Sequence, residues 1–167
     1  MKTYILGLSV LLITACNAET ATEIADEPKA ALTTETSYDA PLAQELGADD
    51  YGMRSYVMVI LKTGPNDKTI VDKEERGEIF KGHFANMRAL AENKHLVLAG
   101  PFGDPEGIRR GLYIFNVKTT EEAQKLVMTD PAVKAGIFTP EFTPYYGSAA
   151  LMQVNDVHQR IAKVNPG

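Results

Sequence analysis

Lys81-Gly82-His83-Phe84-Ala85-Asn86-Met87-Arg88-Ala89-Leu90, running on through Leu96-Val97-Leu98-Ala99-Gly100-Pro101, is the stretch around which the rest of the chain is organised. Spacings of three and four residues place Ile79, His83, Met87 and Leu90 on one stripe of a helix, with Lys81, Arg88 and Glu92 turned away. Such a stripe is expected to face a sheet. His83 is the polar member of it, so the ring is predicted to lie in or beside the core.

Upstream, Tyr56-Val57-Met58-Val59-Ile60-Leu61 is apolar on both faces of a strand and predicts a central strand covered on both sides. Gly64-Pro65-Asn66-Asp67 ends it, and Asp72 followed by Glu75 marks the start of the helix that runs to about Glu92. Downstream, Leu96–Pro101 and 111–117 read as two strands joined by the turn Asp104-Pro105-Glu106-Gly107. Thr119 with Glu122 forms a capping box for the next helix. Asp130-Pro131 opens a short further turn of helix that Gly136 terminates. A last strand spans 137–146, where Pro140 and Pro144 suit only an edge or bulged position.

The order strand, helix, strand, strand, helix, strand predicts an α+β, ferredoxin-like fold, with a four-stranded antiparallel sheet and its helices on one face. The other face is then bare. A first strand that is apolar on both sides asks for a second cover, and another copy of the same chain supplies one, so a homodimer is expected. In the segment 148–167, Leu151, Val154, Val157, Ile161 and Val164 recur at helical spacing and predict an appended amphipathic helix without a basic face.

The chain has 167 residues, 44% hydrophobic and 23% charged, which fits one globular domain with an appendage. Its net charge of −5 is unevenly placed. Residues 17–50 carry nine acidic side chains against Lys29 alone, whereas 51–167 carry thirteen acidic against fifteen basic. No basic stripe with interleaved aromatics is present, and nucleic-acid binding is set aside. Residues 1–16 read as a targeting segment: Lys2, then an apolar run from Tyr4 to Ile13 too short to remain as a spanning helix. Its end, Ile13-Thr14-Ala15-Cys16, resembles the lipobox of bacterial lipoproteins. The resemblance implies cleavage before Cys16, lipidation of Cys16 as the sole membrane anchor and, with Asn17 following, placement in the outer membrane. Residues 17–50, rich in Ala, Thr and Glu, read as a disordered acidic tether, leaving 51–147 as the folded domain.

Gly82-His83, Leu98-Ala99-Gly100-Pro101, Gly111-Leu112-Tyr113-Ile114-Phe115 and, above all, Asp130-Pro131-Ala132-Val133-Lys134-Ala135-Gly136-Ile137-Phe138 resemble the YCII-related (YciI-like) domain family over about residues 54–147. The resemblance implies the dimeric alpha-beta barrel, in which two ferredoxin-like subunits pack sheet to sheet. It also implies a catalytic or pseudo-catalytic pair made by His83 and Asp130. The lipoprotein segment and the helix after Gly147 depart from the minimal family pattern.

If Asp130 accepts from one ring nitrogen of His83, it fixes the tautomer and leaves the other nitrogen free to take or give a proton near neutral pH. On the residues alone, a satisfied core histidine and an N-cap aspartate are the competing readings. Arg109 and Arg110, after the hairpin turn, are candidates to bind an anionic substrate, and Tyr145 to line a pocket. His95 and His158 lack partners at ligand spacing, so no metal is expected, and no cofactor motif is present. Two functions stand open: a surface-anchored enzyme that moves a proton on an unidentified small molecule, and a binding lipoprotein of the same fold without turnover.

Overall fold

Strand β1 (Met53–Thr63) sorts its side chains between two cores: Val57, Val59 and Leu61 are buried on one face, while Tyr56, Met58 and Ile60 point to the other. This alternation, in a computed structural model that describes residues 37–104 and 106–164, gives β1 a cover on both faces, as its sequence predicts. It pairs antiparallel with β3 (Arg109–Phe115) and with β4 (Phe138–Ser148), and β2 (Leu96–Pro101) pairs with the far side of β3. The strand order is β2-β3-β1-β4. Pro140 and Pro144 thus lie in an edge strand, where a missing N–H costs no ladder bond on the open side. Cys16 and the tether to residue 36 lie outside the described residues.

The first core is closed by helix α2 (Lys73–Glu92), α3 (Thr120–Val127) and the short α4 (Pro131–Lys134), with Leu90, Ala123, Val127, Ala132 and Ile137 against β1 and β3. Each helix begins where the side chains predict. Asp72 accepts from the Glu75 amide, Thr119 and Glu122 form the reciprocal capping box, and Asp130 accepts from the Ala132 amide. An N-cap of this kind contributes about 1 kcal/mol. Gly136, at φ 72°, ends α4 in the left-handed region, and its carbonyl lies where a Cβ on Gly64 would be, at 2.2 Å. The chain crossing there needs glycine on both sides.

Three expectations are revised. Strand β3 begins and ends two residues earlier than predicted. Asn116 leaves the ladder to accept from Arg54 and donate to the Lys94 carbonyl, while the Thr63 amide bonds the Ile108 carbonyl and draws Arg109 into the sheet. The tether expected over 17–50 does not extend to residue 50, because Ala40–Leu46 form a helix, α1, capped by Asp39 and closed by Gly47 at φ 65°. Arg54 donates to the Leu46 carbonyl at its end.

The sheet's second face is also not bare. The chain after β4 forms a 3-10 turn, Ala149–Gln153, before α5 (Val154–Ile161), and lays Leu151 and Met152 over Tyr56, Val97 and Ile114. Met58, Ile60 and Leu112 remain half-buried there, and Val157, Ile161 and Val164 on the last helix and just past it are exposed.

Candidate active site

Three residues of α2 hold the segment 129–131. Gly82 brings the helix so close to α4 that a Cβ would stand 2.9 Å from the Pro131 ring. Asn86 accepts from the Thr129 hydroxyl at 2.8 Å. Between them, His83 places Nδ1 2.8 Å from Asp130 Oδ2. Gly82 and Asn86 are four apart and His83 and Asn86 three, spacings that share a face of a helix, so neighbouring surface of α2 fixes both members of the pair.

Asp130 is fully buried, and its two oxygens have separate duties. Oδ1 accepts from the Ala132 amide at 2.8 Å, capping α4, while Oδ2 faces His83. A buried carboxylate needs such partners, since an unpaired charge in the interior is strongly disfavoured. Tyr113, from the centre of β3, supplies one that sequence reasoning did not single out. Its hydroxyl donates to Asp130 Oδ2 at 3.0 Å and lies 3.4 Å from His83 Nδ1, with its ring stacked on the imidazole at 25°. Burial and the adjacent Asp130 push the Tyr113 hydroxyl far above its ordinary range, so it remains a donor. The signal that finds it is strand parity, because Tyr113 pairs with Val59 on the face that meets α2.

Around the remaining edge of the imidazole stand Phe80, Phe84 and Phe138, with centroids at 5.8, 5.2 and 5.5 Å. His83 is only 7% exposed, and among the described residues no protein group bonds Nε2. The ring therefore has one nitrogen satisfied in the core and the other without a protein partner among the described residues.

Of the other predicted site residues, the structure brings one near. Arg110 lies 5.5 Å over the Phe138 ring and 3.3 Å from Asp67, and Asp67 is also paired with Arg76, which sits over Phe80. The hydrogen bond from Arg76 holds the Asp67 carboxyl below its usual range. Two guanidiniums share one carboxylate, leaving an excess of positive charge behind two of the rings that flank His83. Arg109 instead turns to the hairpin, 3.7 Å from Asp104 and over Phe102. Tyr145 pairs with Tyr56, so it stands on the opposite face of the sheet and does not join His83. A cleft of about 690 Å³ opens where β1 begins, lined by Arg54, His95, Lys118 and Tyr146 among others, and none of the residues around His83 lines it. Among the described residues, no group of His, Cys, Asp or Glu side chains is clustered to hold a metal ion.

The family model of the YCII-related domain matches residues 55–140, more than half of the chain. No curated protein matches. Among solved structures, 5-chloro-2-hydroxyhydroquinone dehydrochlorinase (TftG) from Burkholderia phenoliruptrix AC1100, in complex with 2,5-dihydroxybenzoquinone, is similar at 18% identity and a TM-score of 0.38, covering 54% of this chain and 90% of that one.

Proposed function

We propose a function from one premise: this chain belongs to the YCII-related domain family. The reading is a small-molecule enzyme in which Nε2 of His83 takes a proton from a bound substrate and returns it elsewhere, an isomerase- or lyase-like transfer. The observation that carries it is the buried contact between Nδ1 and Asp130, with Nε2 left unbonded by protein. When Nε2 accepts a proton, the ring becomes an imidazolium, and Asp130 offsets that charge without moving. A positioned acid/base group of this kind contributes roughly 10² to 10⁴ in rate. Arg110 supplies positive charge for an anionic substrate group lying against Phe138.

A second reading, binding without turnover, is favoured by the low exposure of His83 and by the position of the 690 Å³ cleft away from it. Both readings place the protein in the bacterial envelope, lipid-anchored through Cys16 at the outer membrane, and both take it as a homodimer. No helix among the described residues is long and apolar enough to cross a membrane.

The deciding experiment is a small-molecule screen by thermal shift on the full chain, followed by incubation of each stabilising compound in D2O. A ligand at 100 times its Kd adds about 2.7 kcal/mol, well above the detection limit. Proton transfer at Nε2 predicts deuterium incorporation into a bound compound, lost in His83→Gln while the thermal shift persists. Bound compounds that gain no deuterium would leave only the binding function.

A further inference from the structure

We infer that Tyr113 is a positioning residue that acts through Asp130 to hold the neutral His83 ring as its Nδ1–H tautomer, with Nε2 as the open lone pair. The inference rests on the proposed acid/base reading of His83 and adds to it a second group that biases which nitrogen is the base.

The argument follows from donors and acceptors. A tyrosine hydroxyl has one hydrogen, and the Tyr113 hydroxyl gives it to Asp130 Oδ2 at 3.0 Å. Burial beside that carboxylate keeps the hydrogen on the oxygen. What Tyr113 presents to His83 Nδ1, 3.4 Å away, is therefore an oxygen lone pair. Asp130 Oδ2 likewise presents only lone pairs, at 2.8 Å. Nδ1 thus faces two acceptors and no donor. A ring with its hydrogen on Nε2 would set an Nδ1 lone pair against both of them, among buried side chains. The cluster contains the charge of Asp130 itself and, beyond the Phe80 and Phe138 rings, those of Arg76 and Arg110 paired with Asp67.

The alternative use of the tyrosine is as a core residue, since its ring packs on Phe115 and on the imidazole. Packing does not need the hydroxyl, and Tyr113→Phe keeps the ring while removing it. Without that hydroxyl, Asp130 Oδ2 loses its second donor and Nδ1 its second acceptor, and the carboxylate is free to rotate about the oxygen that caps α4.

The test is the 15N spectrum of the His83 ring in the full chain, recorded above the pH at which it is protonated, for the native protein, Tyr113→Phe and Asp130→Asn. The expected native spectrum has a protonated Nδ1 and an unprotonated Nε2. Tyr113→Phe should raise the Nε2–H population by roughly twofold to tenfold, the effect of one neutral hydrogen bond. Asp130→Asn, whose amide can donate to Nδ1, should invert the tautomer. A native ring with its hydrogen on Nε2 would overturn both this inference and the acid/base reading. A native Nδ1–H ring that is disturbed by Asp130→Asn and untouched by Tyr113→Phe would leave the acid/base reading standing and reduce Tyr113 to packing. Should Tyr113→Phe lose native chemical-shift dispersion, the coupling between Tyr113 and His83 is read instead in the native protein, from the nuclear Overhauser contact between the Tyr113 hydroxyl proton and the His83 Nδ1 proton. Absence of that contact overturns the inference.

Discussion

Asp130 divides its carboxylate between a helix and a site, Oδ1 accepting from the Ala132 amide and Oδ2 from His83 and Tyr113. Substitution separates the two duties. Asparagine keeps an oxygen for the cap but turns an amide toward the Tyr113 hydroxyl, a donor, in a fully buried place. The mismatch should cost about 1–3 kcal/mol. Alanine should cost about 1 kcal/mol more, because the cap is lost as well. Urea unfolding of Asp130→Asn and Asp130→Ala measures both, and an asparagine variant within a few tenths of a kcal/mol of native would mean that Oδ2 contributes nothing. The pair itself is legible in the chain, since a histidine on an apolar helical stripe and an aspartate before proline are both visible as local patterns. Tyr113 is not, because within Leu112-Tyr113-Ile114-Phe115 it reads as one more apolar strand residue. Strand parity gives only the face it stands on; its role depends on His83 and Asp130 reaching it from the helices over that face, which no local pattern carries. The same holds for Arg109 and Arg110, adjacent residues whose paths diverge at the irregular register beside Leu61 and Lys62.

At the level of elements, the two guanidinium contacts of Asp67 tie three pieces together: the loop after β1, the first turns of α2 through Arg76, and β3 through Arg110. Because the Arg76 hydrogen bond lowers the Asp67 pKa, the folded value lies below the unfolded one of ~3.9. The stabilisation is then present above about pH 4 and fades as pH falls through the folded value. Thermal midpoints measured from pH 6 to pH 2.5 should fall less steeply for Asp67→Asn than for the native protein. Parallel curves would show that this junction contributes nothing to acid stability. The elements missed by sequence reasoning are the short ones. Helix α1 has only seven residues and no buried side chain, so it shows no apolar stripe, although Asp39, Pro41 and Gly47 mark its ends. The segment after β4 has the stripe, but its first turn is 3-10 because it must place Leu151 and Met152 back on the sheet.

For the whole molecule, the C-terminal segment narrows the argument for a dimer without removing it. Leu151 and Met152 cover one part of the second face, and Met58, Ile60 and Leu112 stay half-buried beside the exposed Tyr145. Val157 and Ile161 on α5, with Val164 just past its end, are exposed apolar side chains as well, the kind of surface the proposed second chain would cover. Light scattering at micromolar concentration should give the mass of two chains, and Ile161→Glu, at a position 74% exposed, should shift the population toward one. A single-chain mass for the native protein would exclude the dimer.

His83 and Asp130 are 47 residues apart, with β2, β3 and α3 between them. Closing so long a loop costs conformational entropy that is recovered only once the intervening strands have paired. The contact is consequently among those that a growing or partly unfolded chain cannot make, and Tyr113, which completes it, arrives on the strand in between. In the proposed mechanism the oriented base comes into being in the same cooperative step that completes the sheet. An extended chain carries an ordinary solvated histidine, and the pair exists only in the finished domain.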